Sequence, residues 1–264
     1  MRAPLTLLLV VGAAGASSLA AQEPDFKWEK ALAADKTVSL HNINGNITVA
    51  ASTSGKVEII GIRRRGRDAD DVTIEVVESD RGITACAINP RDDMDCDEDG
   101  IHGSNRRRGR DRDWDNGRMD MEVRLPKGMR LHASSVSGDV RITGAEGNVR
   151  GGSVSGDVRL DAIRATTVRA SSVSGDVTVV LASLVGDGDL TFSSVSGNVT
   201  VELPKDLSAD VSMRSVSGSL DSDFPLTLNG RVSRSSVNAR IGKGGRELEV
   251  HTVSGDVHLR TAKP

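Results

Sequence analysis

A six-residue motif that recurs along the second half of the chain constrains its fold more than any other feature. Ser-Val-Ser-Gly-Asp-Val occurs three times without change, and four variants follow it. The copies begin at Ser135, Ser153, Ser172, Ser194, Ser215, Ser236 and Thr252, at spacings of 16 to 22 residues, after an earlier relative at 42–47. A unit this short cannot bury its own apolar face, so the repeat predicts units that stack on one another.

Each motif predicts two strands joined by a tight corner. Apolar and polar residues alternate on both sides of it, as in Leu131-His132-Ala133 before the corner and Val140-Arg141-Ile142 after it. This period of two is typical of strands with one buried face. Glycine permits the positive φ that a corner commonly needs, and the Asp or Asn beside it can hydrogen-bond to the backbone. The predicted corner glycines are Gly45, Gly138, Gly156, Gly175, Gly197, Gly218 and Gly255.

Stacking at about 4.8 Å per turn places equivalent residues in columns. One column is an inward ladder of hydroxyl groups at Ser135, Ser153, Ser172, Ser194, Ser215, Ser236 and Thr252. An adjoining apolar ladder comprises Val136, Val154, Val173, Val195, Val216, Val237 and Val253. The carboxylates of Asp139, Asp157 and Asp176 should stack outward on consecutive turns.

The predicted fold class is all-β: a single-chain β-solenoid with turns of 16 to 22 residues and an N-terminal β region that carries a charged loop insertion. Aromatic residues make up only 2% of the chain and Tyr is absent, which suits a thin stacked core of Val, Leu, Ile and Ala. An antiparallel sandwich of about twenty short strands is the alternative, since Gly-containing turns also make hairpins. The return of one motif to one place in every turn favours parallel stacking.

The first residues predict export. Arg2, an apolar run from Leu5 to Val11 and small residues up to Ala21 fit a cleaved signal peptide over 1–21. We therefore expect an exported protein that is periplasmic, at the cell surface or secreted, with no transmembrane segment in the mature chain. The remaining chain divides into an N-terminal β region at 22–130, with a charged insertion at 89–117, and the repeat solenoid at 131–264.

The charged insertion contains almost no apolar residues, so it predicts a mobile loop. Cys86 and Cys96 are the only cysteines, and in an oxidising compartment they can pair and close a short loop. The alternative is one buried thiol in a strand and one exposed thiol in a loop.

No motif indicates a catalytic, cofactor or metal residue. The acidic run Asp95–Gly100 begins like a calcium loop, but Arg106 stands where the bidentate carboxylate belongs. A second acidic set comprises Asp111, Asp113, Asp115 and Glu122, with Asn116 in place of the usual turn glycine. No His lies in HExxH and no Ser in GxSxG.

Two arginine clusters, Arg63–Asp68 and Arg106–Asp111, are compatible with local charge pairing or with an anionic ligand. The net charge of −3 and the scarcity of aromatic residues for base stacking give no indication of nucleic acid as a partner.

Three features together resemble a bacterial family of unknown function described as putative adhesins with β-strand repeats. They are Asn44–Val49, the strand end Leu125–Gly128 and the serial Ser-Gly-Asp-Val units, and the resemblance covers Val38 to Arg260. It implies an envelope-associated β-solenoid with an adhesive role and no assigned catalytic residues. The charged insertion departs from the family pattern.

The first functional hypothesis is a non-catalytic, adhesin-like binding module for a surface ligand, a carbohydrate or an envelope protein. The alternative is a structural envelope scaffold that associates with itself through the solenoid ends or with a neighbouring protein. A polysaccharide-acting β-helix enzyme is a third hypothesis, and a groove lined by several carboxylates and an Arg would indicate it.

Overall fold

The structure is a computed structural model that describes residues 23–64, 72–89, 94–103, 117–229, 233 and 235–262. All regular secondary structure in these ranges is β-strand, and no helix in them could span a membrane. The predicted signal segment, residues 1–21, lies outside the described residues.

The chain forms 23 strands within these ranges. Those before the intact repeats are β1 (Phe26–Lys30), β2 (Thr37–Asn44), β3 (Ile47–Ala51), β4 (Val57–Arg64), β5 (Thr73–Ser79), β6 (Gly82–Ile88), β7 (Met94–Asp97), β8 (Gly100–Gly103) and β9 (Arg118–Leu125). The repeats supply β10 (Arg130–Ser137), β11 (Val140–Thr143), β12 (Val149–Ser155), β13 (Val158–Ala165), β14 (Val168–Ser174), β15 (Val177–Leu184), β16 (Leu190–Ser196), β17 (Val199–Leu203), β18 (Ala209–Ser217) and β19 (Leu220–Ser222). The C-terminal part supplies β20 (Thr227–Leu228), β21 (Ser236–Ile241), β22 (Arg246–Ser254) and β23 (Val257–Thr261).

These strands build two large sheets around one core. The first sheet has the order β1-β4-β9-β3-β11-β13-β15-β17-β23-β19, and the second has the order β20-β21-β18-β22-β16-β14-β12-β10-β2-β6-β5. Each repeat places its strand before the corner in the second sheet and its strand after the corner in the first. Neighbouring repeats pair in parallel, as β10 does with β12 and β11 with β13. The predicted all-β solenoid is confirmed, and parallel pairing is incompatible with the antiparallel sandwich.

Both sheets continue without interruption across residue 130, the predicted end of the N-terminal β region. The early relative of the motif at 42–47 joins β2 to β3, and these strands pair with β10 and β11 of the first intact repeat. The N-terminal β region therefore supplies complete turns of the same stack.

The core lies between the sheets and is filled by the inward residues of every strand. The fully buried side chains after the corners include Val140, Ile142, Val158, Leu160, Val177, Val179, Val199, Val201, Val257 and Leu259. Phe192 is the largest fully buried side chain, and Ala170 faces it on the adjacent strand. Small and β-branched residues thus keep the two sheets close together, as the composition indicates.

The corners stack so closely that only glycine fits. A Cβ added to Gly175 would lie 2.2 Å from the carbonyl oxygen of Gly156, and the other corner glycines meet their neighbours in the same way. The hydroxyl of Ser172 donates to that same Gly156 oxygen at 2.8 Å. The bond recurs, at 2.8–3.0 Å, for Ser135–Gly45, Ser153–Gly138, Ser194–Gly175, Thr252–Gly197 and Ser215–Gly255.

A second ladder is formed by the Asp or Asn that follows each corner glycine. The side chain of Asp139 accepts a hydrogen bond from the backbone N–H of Asp157 at 3.0 Å, one turn further on. The ladder runs through Asp120, Asn46, Asp139, Asp157, Asp176, Asn198, Asp256 and Ser219, with distances of 2.7–3.0 Å. These side chains therefore bond to the next turn and set the register between turns.

The order of turns in space departs from their order in the chain. Strands β22 and β23, the last repeat, lie between β16–β17 and β18–β19. The turn that ends the stack carries Ser219 instead of Asp or Asn, so its corner has no side-chain carbonyl to offer a further turn. Arg246, at the start of the inserted repeat, donates to the carbonyl of Thr166 at 2.8 Å and to those of Gly186 and Gly188.

The segment that begins at Ser236 is not a turn of the solenoid, so its predicted place in the two ladders is wrong. It forms β21, which pairs antiparallel with β18, and Val237 faces Met213 there. Ala239 occupies the position of the corner glycine in this copy. Because a Cβ cannot fit against the neighbouring corner, the strand continues straight and covers the end of the second sheet.

Antiparallel strands close both sheets at the N-terminal end and the second sheet at the other end. At the N-terminal end β4 pairs with β9, β1 pairs with β4, and β5 pairs with β6. At the other end β21 covers β18, and the outermost strands β19 and β20 have three and two residues. The ends of the solenoid therefore differ from its repeating middle.

Replacing Gly175 with alanine tests the close contact at the corner. The added Cβ would meet backbone atoms that can move only with the whole turn. We expect Gly175→Ala to lower the free energy of unfolding by about 2–4 kcal/mol in chemical denaturation. Gly103→Ala is the matched control, since a Cβ there meets no atom within 4 Å, and it should change stability by less than about 0.5 kcal/mol. Equal losses in the two variants would contradict the corner packing.

Candidate functional site

A disulfide holds part of the charged insertion against the second sheet. Cys86 of β6 and Cys96 of β7 are joined, with a Cα–Cα distance of 5.9 Å. Residues 94–103 form an antiparallel hairpin of β7 and β8, so the prediction of a mobile loop is wrong for this part. The disulfide anchors this segment, whereas the prediction of a mobile loop rested on its lack of apolar residues alone. Residues 90–93 and 104–116 of the insertion lie outside the described residues.

The hairpin is tied to β6 and the turn before it by polar contacts. The hydroxyl of Thr84 donates to the carbonyl of Glu98 at 3.0 Å. Arg81 forms ion pairs with Glu98 at 3.2 Å and with Asp99 at 3.1 Å, and both carboxylates raise the pKa of this guanidinium. The hairpin thus forms one wall of a cavity on the outer face of the second sheet.

Asp97 organises the turn of the hairpin. Its carboxylate accepts from the N–H groups of Asp99 at 2.8 Å and Gly100 at 3.1 Å, and it lies 2.9 Å from the ring of His102. The first two contacts and the His102 ring hold its pKa below the ordinary value. In the part of the chain that the structure describes, no cluster of His, Cys, Asp or Glu could hold a metal ion. Of the second acidic set, only Glu122 is described, as an exposed residue of β9.

A cavity of about 210 Å³ beside the hairpin contains a pair of histidines. The rings of His41 and His132 lie edge to face with centroids 5.3 Å apart, and Nδ1 of His41 is 2.8 Å from the hydroxyl of Ser134. Burial lowers the pKa of His41. Burial, followed by the charges of His41 and Arg150, lowers the pKa of His132 to about 4. Both rings are therefore neutral at physiological pH.

From His132 an open groove continues along the outer face of the second sheet. It comprises two adjoining depressions of about 270 and 470 Å³, both of which include His132, Arg150 and Arg169. Strands β10, β12, β14 and β16 form its floor, and their outward residues are in register. The groove is therefore a product of the stacking, because equivalent positions of successive repeats line it.

Three columns of side chains run along this face. The cationic column, named for its two central arginines, is His132, Arg150, Arg169 and Thr191, of which only Arg150 and Arg169 are charged at physiological pH. The hydroxyl column is Ser134, Gly152, Ser171 and Ser193. The valine column, two residues further along each strand, is Val136, Val154, Val173 and Val195, with exposures of 45–47%. The predicted apolar ladder thus exists and faces solvent, beside the buried serines.

The two arginines of the cationic column differ from their counterparts on the first sheet. Arg141 forms an ion pair with Asp139 at 2.9 Å, and Arg159 forms one with Asp161 at 2.6 Å. Within the described ranges, Arg150 and Arg169 have no ion pair with a carboxylate. Their charges are therefore available to a ligand.

The described arginines of the first cluster, Arg63 and Arg64, do not line this face. Arg63 donates to the carbonyl of Val72 at 3.0 Å, and Arg64 pairs with the buried Asp120 at 2.7 Å. Burial opposes ionisation of Asp120, but the N–H of Asn46 and the two guanidiniums beside it hold its pKa below the ordinary value. Residues 65–68 and 106–111 lie outside the described residues.

Sequence reasoning missed the groove, although a signal for it exists. The outward residues just before the corners read His132 and Ser134, Arg150 and Gly152, Arg169 and Ser171, and Thr191 and Ser193. Aligning the repeats at the inward serine would have placed two arginines side by side, with no acidic residue at the same register on these four strands.

A parallel two-sheet β-solenoid with stacked Ser-Gly-Asx corners and an open, polar outer face is the class that these observations define. The chain belongs to the Toastrack DUF4097 family, which matches residues 30–260. The resemblance drawn from the repeat motifs is thereby confirmed.

Two solved structures are similar to the chain. One is described as a putative cell adhesion protein from Clostridium sporogenes: identity is 13%, coverage is 91% of this chain and 100% of that chain, and the TM-score is 0.43. The other is described as a putative adhesin from Bacteroides fragilis: identity is 12%, coverage is 90% and 96%, and the TM-score is 0.31. No curated protein matches the chain.

Acidification should destabilise the protein through His132. Because its pKa in the folded chain is about 4, below the ordinary 6.5, the unfolded chain takes up the proton first as the pH falls. The stability contributed by the neutral ring is complete above about pH 6.5 and is lost towards about pH 4. In denaturation curves across this range we expect the free energy of unfolding to fall by about 1–2 kcal/mol. This figure is reduced because the ring is partly exposed to solvent. His132→Gln should reduce the loss and His251→Gln, at an exposed position, should not; an unchanged loss in His132→Gln would contradict the assignment.

The disulfide should control the attachment of the hairpin. In a Cys86→Ser/Cys96→Ser variant the polar contacts of Thr84 and Arg81 remain, but the covalent anchor is lost. We expect faster proteolysis within 94–103 and a free energy of unfolding lower by about 2–3 kcal/mol. Intact mass before and after reduction checks the bond itself. A mass that does not rise by two hydrogens on reduction would show that the cysteines are not paired.

Proposed function

We propose that this chain is a non-catalytic, adhesin-like binding module that holds an extended ligand along the outer face of its second sheet. One observation carries the proposal: an open groove is lined by the same kinds of side chain at the same register on successive parallel strands. A surface that repeats at every strand matches a ligand that also repeats.

The rigidity of the face supports binding. The residues of the three columns lie on paired strands, and the stacked corners hold those strands in register. Little conformational entropy is lost when such side chains meet a ligand, so weak contacts on successive turns can add up. Repetition therefore compensates for the shallowness of the groove.

The exported setting belongs to this proposal. The signal segment indicated by Arg2 and the apolar run Leu5–Val11 directs the chain out of the cytoplasm. A Cys86–Cys96 disulfide persists in oxidising compartments. The partners of the module are then a surface carbohydrate or an envelope protein, met in the periplasm, at the cell surface or in the medium.

The enzymatic alternative has less support. Carboxylates beside an arginine do occur near the groove, at Glu98 and Asp99, but they form exposed ion pairs with Arg81. The larger depression, which the three columns line, has no carboxylate among its described lining residues. We therefore propose binding without turnover.

The scaffold alternative depends on the ends of the solenoid. Head-to-tail assembly through backbone pairing needs long edge strands at both ends; β5 offers seven residues at the N-terminal end, but β19 and β20 offer only three and two at the other. The outer face of the second sheet extends over many strands and offers a larger surface. Analytical ultracentrifugation of the mature chain over a range of concentrations would detect assembly through the ends.

Filling the groove should weaken binding. Ser171 is exposed at the centre of the larger depression, so Ser171→Trp should obstruct the ligand without disturbing the core. Thr178→Trp, at an outward position of β15 on the first sheet, is the matched control. Using purified envelope polysaccharides and proteins as ligands in biolayer interferometry, we expect at least one to bind and Ser171→Trp to weaken it by about tenfold.

Thr178→Trp should bind like the original protein, and circular dichroism should show that both variants are folded. Equal loss in the two variants would contradict a site on the second sheet. Depolymerisation of a bound polysaccharide, detected as new chain ends, would contradict a non-catalytic role.

A further inference from the structure

The cationic column is arranged for an external anion. Arg150 and Arg169 stand at the same register on adjacent parallel strands, so their guanidiniums are neighbours and repel each other. Within the described ranges neither arginine forms an ion pair with a carboxylate, whereas Arg141 and Arg159 on the first sheet each pair with an Asp. An anionic group placed between these arginines would relieve the repulsion and accept hydrogen bonds from both.

The hydroxyl column indicates a ligand rich in hydroxyl groups. Ser134, Ser171 and Ser193 present groups that both donate and accept hydrogen bonds. Gly152 interrupts the column and deepens the floor, since a Cβ there would lie 3.5 Å from the hydroxyl of Ser171. The surface thus offers polar contacts and space along one line.

The valine column supplies the apolar side of the groove. Val154 and Val173 line the larger depression, and nearly half of each side chain is exposed. Small apolar surfaces of this kind can cover the C–H face of a sugar ring. Apart from His132, no aromatic side chain lines the described groove, so stacking of nucleobases has little support.

The spacing between neighbouring strands suits a single ligand that lies along all three columns. Neighbouring strands lie about 4.8 Å apart, which is comparable to the advance of one pyranose unit in an extended polysaccharide. A chain that runs along the solenoid axis would place successive sugars on successive strands. Each sugar would then lie over the hydroxyl column, about 6.6 Å from the cationic column on one side and from the valine column on the other.

We propose that the groove binds a linear anionic polysaccharide, which crosses β10, β12, β14 and β16 along the solenoid axis with its carboxylate or sulfate groups against Arg150 and Arg169. This inference rests on the proposed function and adds to it the chemical class and direction of the ligand. Affinity should fall with rising ionic strength, because the charged contacts are exposed to solvent.

The test compares ligands that differ only in charge. Polygalacturonate and its fully methyl-esterified form share one backbone, and heparin supplies sulfate groups. With the mature chain at low ionic strength, we expect polygalacturonate or heparin to bind and the methyl ester to bind at least about tenfold more weakly. The Arg150→Gln/Arg169→Gln variant should bind the charged ligand more weakly by a similar factor.

Arg141→Gln/Arg159→Gln is the matched control on the first sheet, and it should leave affinity within about twofold of the original, since it removes only exposed ion pairs. Equal binding of the methyl ester would overturn the anionic assignment while leaving a binding module intact. Equally tight binding of double-stranded DNA or polyphosphate, lost in the Arg150→Gln/Arg169→Gln variant, would overturn the assignment to polysaccharide. If neither these probes nor the wider panel binds, the proposed function itself fails.

Discussion

The structure depends on the contact between successive corner glycines. At Gly156 and Gly175 the backbones approach so closely that no Cβ can lie between them, and the Gly156 carbonyl accepts the hydroxyl of Ser172. The adjacent Asp157 bonds to the backbone N–H of the next turn. Because these contacts repeat at every turn, they set the separation and the register of both sheets together.

The groove on the outer face of the second sheet follows from that register. When corners stack without slippage, outward residues such as Arg150 and Arg169 must also align. A slip of one residue would turn the buried Val168 outward and remove the columns altogether. The same interactions therefore stabilise the fold and arrange the groove, so both depend on the backbone of the corners.

The sequence predicted the strands, their inward faces and the corner glycines, because each repeat carries the same alternation around the same motif. It did not reveal the order of turns, since any complete repeat can stack on any other. In retrospect Ser219 identifies the last turn of the stack, and Ala239 identifies a segment that forms a straight strand without a corner. The hairpin at 94–103 was not predicted, because a covalent bond and a few polar contacts hold it in place of apolar burial. The groove was not predicted either, because the outward residues form one continuous surface only once the repeats are aligned.

Paired cysteines test the order and register of the turns most directly. Ser193 and His251 face outward at the same register on adjacent strands β16 and β22, whereas Arg214 lies one strand further away on β18. Adjacent strands are about 4.8 Å apart, within the reach of a disulfide, and the next strand is not. Mild oxidation should therefore join Ser193→Cys to His251→Cys without loss of melting temperature, and should leave Ser193→Cys/Arg214→Cys unjoined. Efficient bonding of the second pair and not the first would show that the turns stack in chain order, which would contradict the inserted last repeat.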